Sequence, residues 1–168
     1  MRRLVTGMTV NRGFTLIEIL IVIVIIGITV GFAMIAFGDF GASRRILFSA
    51  DQLVNTLRLA QQQAILETST LGLNIDKTSY QILRFENSTT WKPISNKGIF
   101  KVNYFPPNTI ITLKTNSNPP LGSPSIIINA SGDMTPFTLT FGTNKETVLT
   151  VLTGSQDGTL KFSTAKTQ

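Results

Sequence analysis

Three patterns of hydrophobic and polar positions follow one another along the chain, and each predicts a different element. Residues 16–37 are apolar except for Gly27, Thr29, Gly31 and one charge, Glu18. At about 1.5 Å per residue such a run makes a helix of roughly 33 Å, long enough to cross the hydrocarbon core of a bilayer. After Gly38-Asp39-Phe40-Gly41, apolar residues recur at Ile46, Leu47, Ala50, Leu53, Val54, Leu57, Ala60, Ala64 and Ile65. Spacings of three and four mark one face of an amphipathic helix over about 43–67. Arg45, Asp51, Gln52, Asn55, Arg58, Gln62 and Gln63 fall on its polar face. Beyond Thr68 short β-branched and aromatic runs alternate with turn formers, which predicts about eight strands at 71–75, 80–85, 101–105, 109–115, 125–129, 137–141, 147–152 and 159–163.

The separators between these runs carry turn chemistry: Asp76-Lys77-Thr78-Ser79, Pro106-Pro107-Asn108, residues 116–124, 130–136, and the 153–158 segment TGSQDG. Eight strands in a head of this length, packed on the helix through Leu53, Leu57 and Ala60, predict a two-sheet sandwich and an α+β fold. Gly38 and Gly41 weaken the helix and offer a place for it to bend. The Asp39-Phe40-Gly41 triplet matches the metal-binding triplet of protein kinases, but none of the other kinase motifs accompanies it. Trp91 is expected as a core or rim aromatic and Gly132 as a turn glycine.

Composition narrows the chemistry. The 168 residues include no Cys and no His, which removes thiolate nucleophiles, disulfides, Cys-ligated zinc and the usual general base. The carboxylates of the head, Asp76, Glu86, Asp133, Glu146 and Asp157, fall mostly at turns and form no motif. No catalytic residue, metal ligand or cofactor is therefore expected, and the protein is not expected to be an enzyme. The net charge of +6 is concentrated at the front: Arg2, Arg3 and Arg12 supply half of it. In the head, Lys77, Lys92, Lys97, Lys101, Lys114, Lys145, Lys161 and Lys166 are scattered without an Arg cluster, so nucleic acid is not among the expected partners.

The short basic leader MRRLVTGMTVNRG precedes the apolar run with no acid in it. An ordinary secretory signal has a shorter apolar stretch of roughly 7–15 residues and a small-residue cleavage site, and the end of this run, AMIAFGDFG, has no clear A-x-A. Thr15-Leu16-Ile17-Glu18 fits a capping box, which would settle Glu18 at the positive end of the helix dipole. The whole segment RGFTLIEIL resembles the class III signal of type IV pilins and type II secretion pseudopilins. The resemblance implies that a prepilin peptidase cuts between Gly13 and Phe14, that the new N-terminus at Phe14 is methylated, and that Glu18 pairs with the Phe14 amine of an adjacent subunit during assembly.

The head carries a second resemblance. LGLNIDKTSYQILRF, then Trp91-Lys92-Pro93-Ile94, then Tyr104-Phe105-Pro106-Pro107, then INASGDMTPFTLTF follow the order seen in the GspH/FimT pseudopilin family. This implies a pilin-like fold divided into a cleaved cytoplasmic leader (1–13), a transmembrane and filament-assembly segment (14–38), an amphipathic continuation (39–68) and a periplasmic β-sandwich head (69–168). The implied role is that of a minor pseudopilin linking tip subunits to the major pseudopilin of the type II secretion pseudopilus. Its expected partners are the other pseudopilins, the prepilin peptidase and the assembly platform of the bacterial inner membrane, in which it would be a single-pass protein. A minor type IV pilin with a priming or DNA-uptake role shares every N-terminal feature and is the alternative.

Overall fold

The computed structural model describes residues 14–87, 89–116, 122–144 and 148–164, with residues 35–40 described by backbone alone. The leader with Gly13, Lys145, Glu146, Lys166, the start of the strand expected at 147, and most of the 116–124 loop lie outside the described residues. The chain divides into two units, one ending at Phe40 and one beginning at Gly41. Helix α1 (Leu16–Leu66) contributes to both. The helix assignment continues through Gly38 and Gly41, so the two glycines do not terminate it.

Over Leu16–Met34 the helix is apolar around its circumference apart from Glu18, and none of this window is buried within the protein. Thr29 keeps its hydroxyl satisfied inside the helix by donating to the Ile25 and Ile26 carbonyls at 3.0 and 2.9 Å. By length and composition this window is able to cross a membrane.

The second unit is built on the amphipathic part of α1 and nine strands among the described residues. These are β1 (Leu71–Ile75), β2 (Ser79–Glu86), β3 (Thr90–Pro93), β4 (Asn103–Tyr104), β5 (Ile110–Thr115), β6 (Ile126–Ile128), β7 (Phe137–Gly142), β8 (Thr150–Gly154) and β9 (Leu160–Thr164). One sheet has the order β3-β2-β1-β6 with β4 also on β2; the other has the order β5-β7-β8-β9. Every pairing is antiparallel. β3 is the strand the pattern does not predict. It is four residues long and ends in Pro93, and a proline demotes a short run to an edge, which is where β3 lies. The strand expected at 101–105 contracts to Asn103–Tyr104, because residues before it form a 3-10 turn at Gly98–Phe100.

The core lies between the helix and the inner faces of both sheets. Ile46, Ala50, Leu53, Val54, Leu57, Ala60 and Ala64 of α1 are buried with Leu71 and Leu73 of β1, Tyr80 and Ile82 of β2, Ile126 and Ile128 of β6, and Phe137, Leu139, Phe141 and Leu152 of β7 and β8. Tyr80 and Phe105 rings stand 5.2 Å apart and Phe105 and Phe141 rings 5.9 Å apart, an aromatic chain linking one sheet to the other. Truncating one of the large buried side chains to Ala costs about 2–5 kcal/mol. Leu47 is only half-buried and Ile65 is half-exposed, so the buried stripe is narrower than the pattern implies. The outer face of the second sheet is rich in threonine, with Thr112, Thr140 and Val151 in register, a surface suited to water.

Candidate functional site

The N-terminal candidates are assembled by the helix start. Thr15 acts as the cap: its Oγ1 accepts from the Glu18 N–H at 3.3 Å, and its carbonyl accepts from the Glu18 and Ile19 N–H groups at 3.1 and 3.3 Å. This is the first half of the capping box. The second half is not made. The Glu18 carboxylate is exposed and forms no hydrogen bond or ion pair with another described residue. Phe14, four residues earlier, is 80% exposed. The local cap therefore organises the backbone and leaves the carboxylate free beside a run of apolar side chains. In such surroundings a carboxylate calls for a cation, since burying it unpaired in lipid is costly.

The other residues singled out from sequence have structural positions. Trp91 on β3 stacks against Phe85 with ring centroids 4.9 Å apart and covers Gly72, whose absent Cβ leaves room for Pro124 and the Trp91 ring. It is a rim aromatic. Asp133 accepts from the Ser131 hydroxyl at 2.8 Å within its turn, and Glu86 pairs with Lys92 at 3.0 Å. The Asp157 carboxylate accepts from the Thr159 N–H and hydroxyl at 3.1 and 2.9 Å, and these bonds hold it below the usual carboxylate range. Gly132 and Gly158 both have positive φ, +91° and +79°, and both turns close over α1.

Gln61 was not predicted to be structural. Its Nε2 donates to the Gly132 carbonyl at 2.8 Å, joining the helix to a turn 71 residues away. The sequence signal for this is weak, a glutamine four residues after Leu57 and beside Ala60 on an otherwise apolar stripe. The end of α1 is fixed in a second way. Glu67 pairs with Arg84 of β2 and accepts from Gln63 at 2.6 Å, so the last turn is tied to the first sheet.

Known proteins match both units. The family described as type II transport protein GspH matches residues 49–158, and the prokaryotic N-terminal methylation motif matches residues 8–34. The chain is 28% identical over 147 residues to type II secretion system protein H of Pseudomonas aeruginosa, covering 79% of this chain and 83% of that one. It is 26% identical over 156 residues to the Escherichia coli K12 protein of the same name, covering 88% and 92%. In three dimensions it resembles the minor pseudopilin EpsH of the Vibrio cholerae type 2 secretion system, with a TM-score of 0.62, 20% identity, and coverage of 73% of this chain and 99% of that one. The solution structure of Escherichia coli GspH gives a TM-score of 0.61 at 22% identity, covering 74% and 92%. At these identities the structural likeness speaks to fold alone.

Proposed function

Because the chain belongs to the GspH family of type II secretion pseudopilins, we propose that its helix is a filament-assembly element prepared by cleavage after Gly13. Membership makes the protein a membrane-anchored structural subunit that works with other components of a type II secretion system. The finer reading assigns 1–13 to a cytoplasmic leader, 14–38 to the inner-membrane and filament segment, 39–68 to its amphipathic continuation and 69–168 to a periplasmic head. In the filament this subunit links tip pseudopilins to the major pseudopilin while folded proteins leave the cell.

The observation that carries the reading is the free Glu18 carboxylate at the start of the apolar helix. Cleavage after Gly13 turns Phe14 into an N-terminus whose amine, with an ordinary pKa near 8, is largely protonated at neutral pH. Methylation of that nitrogen keeps its basicity and therefore its charge. Glu18 of one subunit and the Phe14 amine of the next then neutralise each other in surroundings of low dielectric, where attraction between opposite charges is strong and steeply dependent on distance. Pairing sets the axial step between subunits and lets the helix leave the bilayer without an unpaired charge. The methylation motif over residues 8–34 supports the assignment of Gly13 and Phe14.

Intact mass of the chain purified with and without prepilin peptidase tests the processing: a loss equal to residues 1–13 with one added methyl group is expected only with the peptidase. Glu18→Ala is expected to insert into the membrane normally and to be depleted from sheared filaments. Cleavage beyond Phe37, or wild-type incorporation of Glu18→Ala, overturns the reading.

A further inference from the structure

Within the second unit a groove of about 380 Å³ opens between α1 and the end of β4 with the residues that follow it. Arg44, Arg45, Phe48 and Gln52 line one wall, sharing a helix face by their spacing, and Tyr104 and Pro106 line the other. Phe48 is 72% exposed and Tyr104 76% exposed, while the adjoining Ile46 and Ala50 are buried in the core. No carboxylate lines the groove, and neither arginine forms an ion pair with another described residue.

Its position in the chain limits where this groove can be. Arg44 lies seven residues beyond Phe37, the last residue of the apolar run. Even a fully extended chain places it within about 25 Å of that residue, and a helical one within about 10 Å. The polar layer of a bilayer adds several ångströms beyond the hydrocarbon, and long arginine side chains reach further still. On the orientation given under Proposed function, on which this inference rests, two adjacent arginines follow the span on the non-cytoplasmic side. That runs against the usual bias of basic residues towards the cytoplasm, and an anionic surface on that side would offset it.

We propose that before assembly this groove docks on anionic phospholipid head groups of the bilayer that holds the span, with Arg44 and Arg45 on phosphate oxygens and Phe48 and Tyr104 in the interfacial layer. The guanidinium fork matches a phosphate with two parallel hydrogen bonds, which a single ammonium does not reproduce. Aromatic side chains with one apolar and one wet side are enriched at this depth. A basic pair beside two exposed aromatics with no acid between them is the composition of a contact with an anionic membrane surface. Docking holds the head against the membrane until neighbouring subunits draw the helix out.

The full chain contains no Cys, so Gln52→Cys gives one attachment point for a fluorescent label at the groove. The labelled chain is placed in nanodiscs of phosphatidylcholine alone or with phosphatidylglycerol added, and quenching by neutral acrylamide is measured. Protection of the label is expected in the anionic discs, with the docked-to-free ratio falling about five-fold for each arginine neutralised in R44Q and R45Q. F48A/Y104A is expected to lower protection in the same discs, and R44K/R45K to retain part of it. Trp91 emission, from the single tryptophan, reports that each variant stays folded. Equal quenching in both lipids, or protection that survives R44Q/R45Q, overturns the proposal. So does protection that arises only with two chains per disc whatever the lipid, which would make a second copy the occupant. Both faces of a nanodisc carry the same lipid, so an error in orientation or processing leaves this result unaffected and is detected separately by the mass measurement.

Discussion

Gln61 of α1 donates its Nε2 hydrogen to the carbonyl of Gly132 at 2.8 Å. A Cβ added to Gly158 would stand 2.0 Å from that same Nε2 and 2.5 Å from the Gly132 oxygen. One polar side chain on the helix thus hydrogen-bonds one turn and packs against a second, and the second turn closes over it only because its residue is glycine with φ +79°.

Gln61→Ala is expected to destabilise the chain by about 1–3 kcal/mol, since it leaves the Gly132 carbonyl without its partner. Gly158→Ala is expected to cost at least as much through clash and backbone strain. The two effects should not add: removing the Gln61 amide takes away two of the three nearest atoms that the new methyl group meets. Urea unfolding of both single variants and the double variant, in detergent, measures the coupling. Strict additivity would mean that the cost of Gly158→Ala comes from the backbone and the Gly132 oxygen and not from the clash with Gln61.

Thr68 follows the end of α1 with φ +49°, a region that β-branched residues rarely adopt. The Ser69 N–H donates to the Ala64 carbonyl at 3.0 Å and the Thr68 N–H to the Ile65 carbonyl at 3.3 Å. This is a Schellman cap with threonine where glycine is usual. Thr68→Gly is expected to stabilise the chain by about 1 kcal/mol. An unchanged or lower urea midpoint would show that the Thr68 side chain earns its place by contacts that offset the strain.

The long elements were legible because their signals are repeated many times: the apolar run of the span, and the stripe from Ile46 to Ala64 that does face the core. Gly13, Phe14 and Glu18 stand out as candidates for another reason, that they sit in one short contiguous motif. Features made by residues distant in sequence were not legible. β3 was hidden by Pro93, and the sheet order depends on β1 pairing with β6 across four intervening strands. Phe48 and Tyr104 form one groove only once the head folds, and nothing in the local pattern of either connects them.

Gly72 lies in the middle of β1 with Leu83 and Ile127 opposite it in the neighbouring strands. A Cβ there would meet Pro124 Cγ at 2.5 Å and the Trp91 ring at 3.0 Å. Gly72→Ala must displace the proline, the indole or the strand, and overpacking of this kind costs about 1–3 kcal/mol. Because Trp91 is the single tryptophan, a red-shifted emission with increased acrylamide quenching is expected alongside the lower urea midpoint. A stability loss without any change in emission would place the displacement on Pro124 alone.

Tyr80 is the largest fully enclosed side chain of the core, and burial pushes its phenol above the ordinary tyrosine range, with the Thr56 hydroxyl offsetting part of the shift. A group whose pKa is raised on folding holds its proton more tightly in the folded state. Its contribution to stability is complete below the unfolded value of about 10 and is lost as pH rises towards and through the folded value. The wild-type chain should therefore lose stability more steeply between pH 9 and 11 than Tyr80→Phe, in which lysines titrate as before but no buried phenol ionises. At pH 8 the same substitution should not destabilise the chain and should stabilise it by up to about 1–3 kcal/mol, because the buried Tyr80 hydroxyl has no well-directed hydrogen bond to lose and its desolvation is relieved. Urea midpoints of both chains across that pH range decide the point. Parallel curves would mean that the phenolate reaches water without unfolding the head, and the aromatic chain from Tyr80 through Phe105 to Phe141 would then be an open seam between the sheets rather than their shared core.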